Sequence, residues 1–333
     1  SSDSGDLSLG GELRGTGVNG GGTLKLAANK VLIGNNSAPV EPGTLQLGGD
    51  FFDKGFSAYD ITGNQGLTVA DGTRVDVTMP VYRFGEQALN TGIGAEPADA
   101  LQRWTPQLYQ EDAIKGVLTQ RRGASLSLTA GTANSSAADM ASTVLNLGKG
   151  SVISVDPGQG IDVRSIGQLT ASGTLNAWGG RVSLTGLSVT DTEGEAVNAQ
   201  GHGRSIWLGE QALIDVSSRA VTAQDMRGQT YGLVRDGGQI VIGGQIDAEK
   251  GSASASELFV VVREGARLQA DGSHAVLDIP GQGRTSVASN GGSISLASAN
   301  GLYLDGAFSA HSGGTGAAGG KLSVALETPY YVK

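Results

Sequence analysis

The chain has 333 residues, of which 55 are glycine, 8 proline and none cysteine; 38 % are apolar and 5 % aromatic. High glycine without high proline argues for many tight turns, and against collagen or a disordered linker. A net charge of −9 disfavours partners held through phosphate, so neither nucleic acid nor insertion into anionic membrane is expected.

The absence of cysteine suits a bacterial exported chain that stays unfolded in transit. The opening SSDSGDLSLG lacks the basic and apolar regions of a signal peptide, and no run approaches the ~18 apolar residues of a membrane span. The chain reads either as cytosolic or as a processed or excised piece of something larger, and the second is the favoured expectation.

Residues 1–22 show weak alternation (Leu7, Leu9, Leu13) and read as a frayed first coil. Apolar residues then alternate with polar ones over 23–27, 31–33, 44–47, 56–61, 67–69 and 74–79. Asn35-Asn36, Pro42-Gly43, Gly63-Asn64 and Asp71-Gly72 separate these stretches as turns. Between Pro80 and Arg122 the alternation stops. Pro97 and Asp99 mark a helix start there, and Leu108, Ile114, Val117 and Leu118 fall at roughly helical spacing, with Pro106 splitting the region into two short helices. Residues 83–122 thus read as a partly helical insertion on the outside of the fold.

Alternation resumes at Gly123. It predicts strands over 125–129, 143–147, 152–155, 161–163, 168–170, 174–177 and 181–185, then a polar loop over 190–203. Further strands follow at 205–208 and 212–216, a longer loop at 217–236, and strands at 239–242, 258–263, 267–270 and 275–279. The last stretch repeats the pattern three times, with Ile294 and Leu296, Leu302 and Leu304, and then Leu322, Val324 and Leu326. One such unit cannot bury its apolar row alone and must stack on its neighbours. Gly-Gly pairs at 179–180, 237–238, 291–292 and 319–320 lie 58, 54 and 28 residues apart, which suggests coils of roughly 25–30 residues. About a dozen coils at ~4.8 Å each would make a rod roughly 60 Å long. The expected organisation is one continuous all-β stack formed by 1–82 and 123–333, interrupted by 83–122.

Several segments carry a more specific signal: GASLSL at 123–128, DPGQGIDVRSIGQLTASGTL at 156–175, GRSIWLG at 203–209, LFVVVREGARLQADG at 258–272 and GRTSVASNGGSISLASANGLYLDG at 283–306. They resemble the filamentous haemagglutinin family, the large exoproteins of bacterial two-partner secretion. The similarity is strongest over about 120–328. It implies a right-handed parallel β-helix and a place on the bacterial cell surface or in the secreted medium. The implied partners are an outer-membrane two-partner-secretion transporter for the parent chain, and host-cell or matrix glycans or proteins. The family's N-terminal secretion module, with its Asn-Pro-Asn motif, has no counterpart, so an interior shaft segment of an adhesin is expected. The alternatives are a carbohydrate-binding β-helix whose insertion or a lateral face contacts an extracellular polysaccharide, and a carbohydrate-active enzyme.

Catalytic and cofactor chemistry finds little support in the sequence. Two matches to G-x-G-x-x-G, at Gly15–Gly20 and Gly314–Gly319, lack the strand-loop-helix setting of a dinucleotide site, and no cofactor is expected. His202, His274 and His311 lie far apart and read as solvated loop residues rather than metal ligands. A polysaccharide lyase or hydrolase would need paired acids. Asp156 with Asp162, Asp271 with Asp278, Asp305, and Asp162 aligned with Asp215 across coils are the pairs to test, although most of these acids sit where turns favour them. The candidate ligand site is on the insertion, where Trp104 and Tyr109 with Arg103, Arg121 and Arg122 could form a platform for sugar or protein. The competing reading is that Trp104 pins the insertion down and the arginines pair with Glu111 and Asp112. Trp178 and Trp207 are expected to pack.

Overall fold

A computed structural model describes residues 9, 11, 13–16, 21–34, 41–86, 88–90, 92, 100–189, 203–247 and 252–327. The chain is almost entirely β, and its strands gather into three columns. The first runs through the leading half of β1 (Thr23–Ile33) and of β3 (Ala58–Val69), then β9 (Ser125–Ala130), β12 (Gly160–Ser165), β15 (Arg181–Gly186), β20 (Gln239–Ile242), β27 (Ser293–Ser298) and β30 (Lys321–Leu326). The second runs through β2 (Thr44–Leu47), the trailing halves of β1 and β3, β10 (Val144–Leu147), β13 (Gln168–Ala171), β16 (Ser205–Leu208), β23 (Phe259–Val262) and β28 (Leu302–Leu304). The third comprises β4 (Arg74–Val77), β11 (Val152–Val155), β14 (Thr174–Asn176), β17 (Leu213–Asp215), β24 (Arg267–Gln269) and β29 (Ala307–Ser309). Because β3 pairs with β9 through 58–63 and with β10 through 66–69, the first two columns form one bent 14-stranded sheet.

All pairings within the columns are parallel, and alternation along each strand fixes which residues stack. The first column carries Tyr59, Leu126, Ile161, Val182, Ile240 and Ile294 in one register row. The second carries Leu67, Leu145, Leu169, Ile206, Val260 and Leu302. The third carries Val75, Ile153, Leu175, Ile214, Leu268 and Phe308. These rows form one core. Aliphatic side chains pack from three sides at close quarters, which explains why so few aromatic residues are needed. At the far end of the first column, Leu322, Val324 and Leu326 of β30 continue the inward rows but stay about half exposed.

The glycine pairs mark a corner where the backbone of one pass rests on the next. A Cβ at Gly238 would lie 2.2 Å from the carbonyl oxygen of Gly180, one at Gly292 2.0 Å from that of Gly238, and one at Gly320 2.1 Å from that of Gly292. Through this column Gln239 N donates to Gly180 O, Ser293 N to Gly238 O and Lys321 N to Gly292 O. At Gly238, Gly292 and Gly320 glycine is required for close approach, whereas Gly179 in the first pair takes φ +60°.

Several expectations need correction. Among the described residues the first column holds eight strands, which span about 34 Å at ~4.8 Å per pass rather than the roughly 60 Å expected. The remaining residues leave the stack at its corners. Gly160 and Arg181, partners in register, are 21 residues apart, whereas Arg181 and Gln239 are 58 apart. The second correction concerns the insertion. Ala88–Asn90 is a single 3-10 turn and Ala100 is helical, but 101–120 hold strands rather than helices: β5 (Val81–Phe84) pairs antiparallel with β6 (Leu101–Trp104), and β7 (Tyr109–Asp112) with β8 (Val117–Gln120). Residues 93–99, with the helix start expected at Pro97 and Asp99, lie outside the described residues. The helical spacing of Leu108, Ile114 and Leu118 is overridden by a turn. Asp112 Oδ1 accepts from Ile114 N and Lys115 N, and Gly116 takes φ +63°.

The loop expected over 217–236 likewise contains the hairpin β18 (Val221–Gln224) and β19 (Thr230–Leu233). The strand expected at 275–279 belongs to an outer hairpin, β25 (His274–Ile279) with β26 (Gly283–Ala288), and not to the stack. The three hairpin regions leave from the same corner and meet. Met226 N donates to Ala113 O (3.1 Å), Arg235 Nη1 to Gln120 Oε1 (2.7 Å) and Thr230 N to Asp278 Oδ2 (2.6 Å). A different corner carries the helix α1 (Ala137–Ser142), capped by reciprocal bonds between Ser136 and Asp139, and the hairpin β21 (Gly244–Asp247) with β22 (Ser252–Ala255). Among the described residues no helix is long and apolar enough to cross a membrane.

Candidate functional site

The predicted platform does not assemble as a free surface. Trp104 is half buried on β6 and lies under the Arg83 guanidinium, 4.9 Å from its ring centre. Arg103 reaches back to the stack, where Nη2 meets Asp53 Oδ2 at 3.2 Å and Nη1 donates to the Asp53 carbonyl oxygen at 3.3 Å. Arg121 is more deeply committed. Its Nη2 and Nε grip the two Asp156 oxygens at 2.7 and 3.0 Å, and Nη1 donates to Pro106 O at 2.8 Å. With side chains only 14 % and 8 % exposed, this pair is a buried fork that clamps the insertion to the third column. Tyr109 sits near the same carboxylate and Arg235, and burial pushes its phenol above the ordinary value. Arg122 is exposed and makes no ion pair or hydrogen bond to a described residue. The arginines do hold the insertion, but through Asp53 and Asp156 rather than Glu111 and Asp112; Asp112 pairs with Lys115.

The candidate acids are spread over separate partners. Asp162 is exposed on the first column and Asp215 is buried on the third, so the two are not aligned. Asp215 accepts from Trp178 Nε1 (3.1 Å), Arg219 Nη2 (2.6 Å) and Ser217 N (2.9 Å), and Arg219 also lies over the Trp178 ring. Trp178 therefore packs, as expected. Asp278 accepts from Thr230 N, and Asp305 is exposed. Asp271 Oδ1 accepts from the Ser309 hydroxyl and His311 N, and His311 Nδ1 lies 2.9 Å from Ser309 Oγ and 3.3 Å from Asp271. A Ser-His-Asp relay needs serine and aspartate on opposite ring nitrogens. Here both face Nδ1, so the cluster ties one pass to the next and does not relay a proton. His274 opens β25 on the surface, and His202 lies outside the described residues. No three His, Asp or Glu side chains among the described residues are grouped as metal ligands.

Trp207 departs from its expected packing role. Ile206 and Leu208 point into the core, so the strand's alternation turns Trp207 outward, where it is 37 % exposed. Leu302 and Leu304 are partly buried against the core, which turns Tyr303 outward, 58 % exposed. Register places both on one outer row of the second column: Thr68, Asn146, Thr170, Trp207, Val261 and Tyr303. The Arg263 guanidinium lies 5.5 Å from the Trp207 ring centre and only 3.8 Å from Glu210. On the adjacent row the Phe259 ring tilts at 41° to Tyr303, 6.3 Å away, and a Cβ on Gly301 would come 2.9 Å from it. The signal for this row was in the sequence: SIWL and LYL each carry an aromatic residue at the polar phase of the alternation.

A recess of about 420 Å³ lies at the corner of α1 and the β21–β22 hairpin, lined by Met140, Ile166, Val189, Arg204 and Ser256 among others. Arg204 donates through Nη1 to Ile166 O, and burial lowers its pKa. Comparison with protein families, with characterised proteins and with solved structures finds no match.

Proposed function

We propose that the chain is a shaft segment of a large secreted bacterial adhesin of the filamentous haemagglutinin type, folded as a right-handed parallel β-helix. The observation that carries this reading is the continuity of three strand columns in a single register around one apolar core. Parallel crossovers are right-handed almost without exception, which supports the hand of the wind. A stack that pairs every interior strand above and below is stiff along its axis and satisfies its own backbone. The clamps formed by Arg103 and Arg121 support the same reading, because they commit two of the insertion's cations to fastening it down.

In this reading the activity is geometric. The segment sits on the cell surface or in the surrounding matrix, holding binding regions away from the cell, and its parent chain leaves through an outer-membrane two-partner-secretion transporter. The test is in-frame removal and tandem duplication of the segment in the parent adhesin, with filament length and host-cell attachment measured together. Length should change by about 38 Å in each direction (eight passes at ~4.8 Å each) with attachment retained. Loss of attachment at unchanged surface display would overturn the reading.

A further inference from the structure

The outer face of the second column changes character along the stack. Its first two strands present Gln46 and Leu32, its middle strands Thr68, Asn146 and Thr170, and its last Trp207, Val261 and Tyr303, all in one register row. We propose that this row is a binding track for an extended neutral polysaccharide that runs along the stack axis and crosses the strands.

Three features select that occupant. First, the rings are spaced by the sheet itself: Trp207 and Tyr303 lie two strands apart, roughly 9–10 Å at ~4.8 Å per strand. Rigid rings at fixed intervals can stack successive sugar faces of a linear polymer at little entropic cost, while hydroxyl and amide side chains on the same line (Thr170, Asn146, Thr68) bond its edges. Second, the exposed apolar surface is narrow. A stable protein partner needs on the order of 800 Å² from each side, and one ring per alternate strand falls well short. Third, the rim carries charges of both signs, with Arg263 over Trp207 and Glu210 and Asp305 beside the row, on a chain of net charge −9. That balance rejects a polyanion and suits a hydroxyl-rich neutral polymer. Gly301 belongs to the same arrangement, since any side chain there would push Phe259 out of its place beside Tyr303.

The test is affinity electrophoresis of the 333-residue chain through gels containing hydroxyethylcellulose, galactomannan or dextran, with alginate as the polyanion control. At least one neutral polymer should retard the native chain. The Trp207→Ala/Tyr303→Ala variant should lose about tenfold or more in affinity, with its β circular dichroism unchanged. Trp207→Phe, which keeps a ring, should retain part of the retardation and guards against a folding artefact. Four outcomes would overturn the proposal: no retardation in any neutral gel, retardation that survives the double substitution, retardation by alginate alone, or a native dimer that the double substitution dissociates. The last would mean that a second copy of the chain covers the row.

Discussion

Two passes of the chain make the same three strands at very different length. From Gly160 to its register partner Arg181 takes 21 residues, and from Gln239 to Ser293 takes 54. In the short pass Ile161, Leu169 and Leu175 fill the three inward rows. In the long pass Ile240, Val260 and Leu268 occupy the equivalent places. The additional residues all lie at corners, as the β21–β22 and β25–β26 hairpins. What the stack specifies is strand register and inward volume. The path between strands is free to vary, because a longer loop costs only about 0.6 kcal/mol per doubling of its length.

The strongest test of this equivalence is a matched pair of core truncations. Ile161→Ala in the short pass and Ile240→Ala in the long one should each cost about 2–5 kcal/mol, read from denaturant midpoints. A long pass that tolerated the change far better would show that its hairpins carry the fold. Next comes the clamp. Arg121→Met strands a buried Asp156 and should cost about 3 kcal/mol, most of it recovered when Asp156→Leu is added. Partial recovery only would mean that the Pro106 contact matters more than the ion pair.

Gly238→Ala places a methyl against the Gly180 carbonyl and should cost about 1–3 kcal/mol. By contrast, trimming the β25–β26 hairpin to a tight turn between Val276 and Ser286 should change the main midpoint by under about 1 kcal/mol. Hydrogen exchange would then show the loss confined to Thr230 and its neighbours, since Thr230 N loses its acceptor on Asp278.

The smallest effect separates core from corner by pH. Burial raises the pKa of Tyr59, in the stack, and of Tyr109, on a hairpin. A raised folded value means that stability is fully present below the ordinary phenol pKa of about 10 and is lost as pH rises through the folded value. Tyr59→Phe should flatten the alkaline fall in global stability, while Tyr109→Phe should alter only local exchange in the insertion.

Much of the stack was legible because its signal is local. Val, Leu and Ile at every second position identify a strand and its inner face without knowledge of its partner, and recurring Gly-Gly pairs mark where passes touch. The outer hairpins were not legible. Their strands are four to six residues long, and Asp112 and Gly116 set a turn inside what looks like helical spacing. The partners of the candidate site residues were hidden for a different reason. Aromatic and basic residues crowded in sequence at 103–122 fold back on Asp53, Asp156 and Arg83, contacts that lie 20 to 50 positions away. Trp207 and Tyr303, nearly a hundred residues apart, share a row only through register, although each one's outward phase could be read from its immediate neighbours.

The half-exposed inward row of β30 has a kinetic meaning. Leu322, Val324 and Leu326 present the same template that Ile294 and Leu296 present one pass earlier, so the growing face of the stack looks alike after every pass. Stacking partners stay a few tens of residues apart however many passes are added, and the search for each new contact does not lengthen with the chain. A stack built this way can fold as a moving front, in the order in which its residues become available, with each finished pass acting as the nucleus of the next.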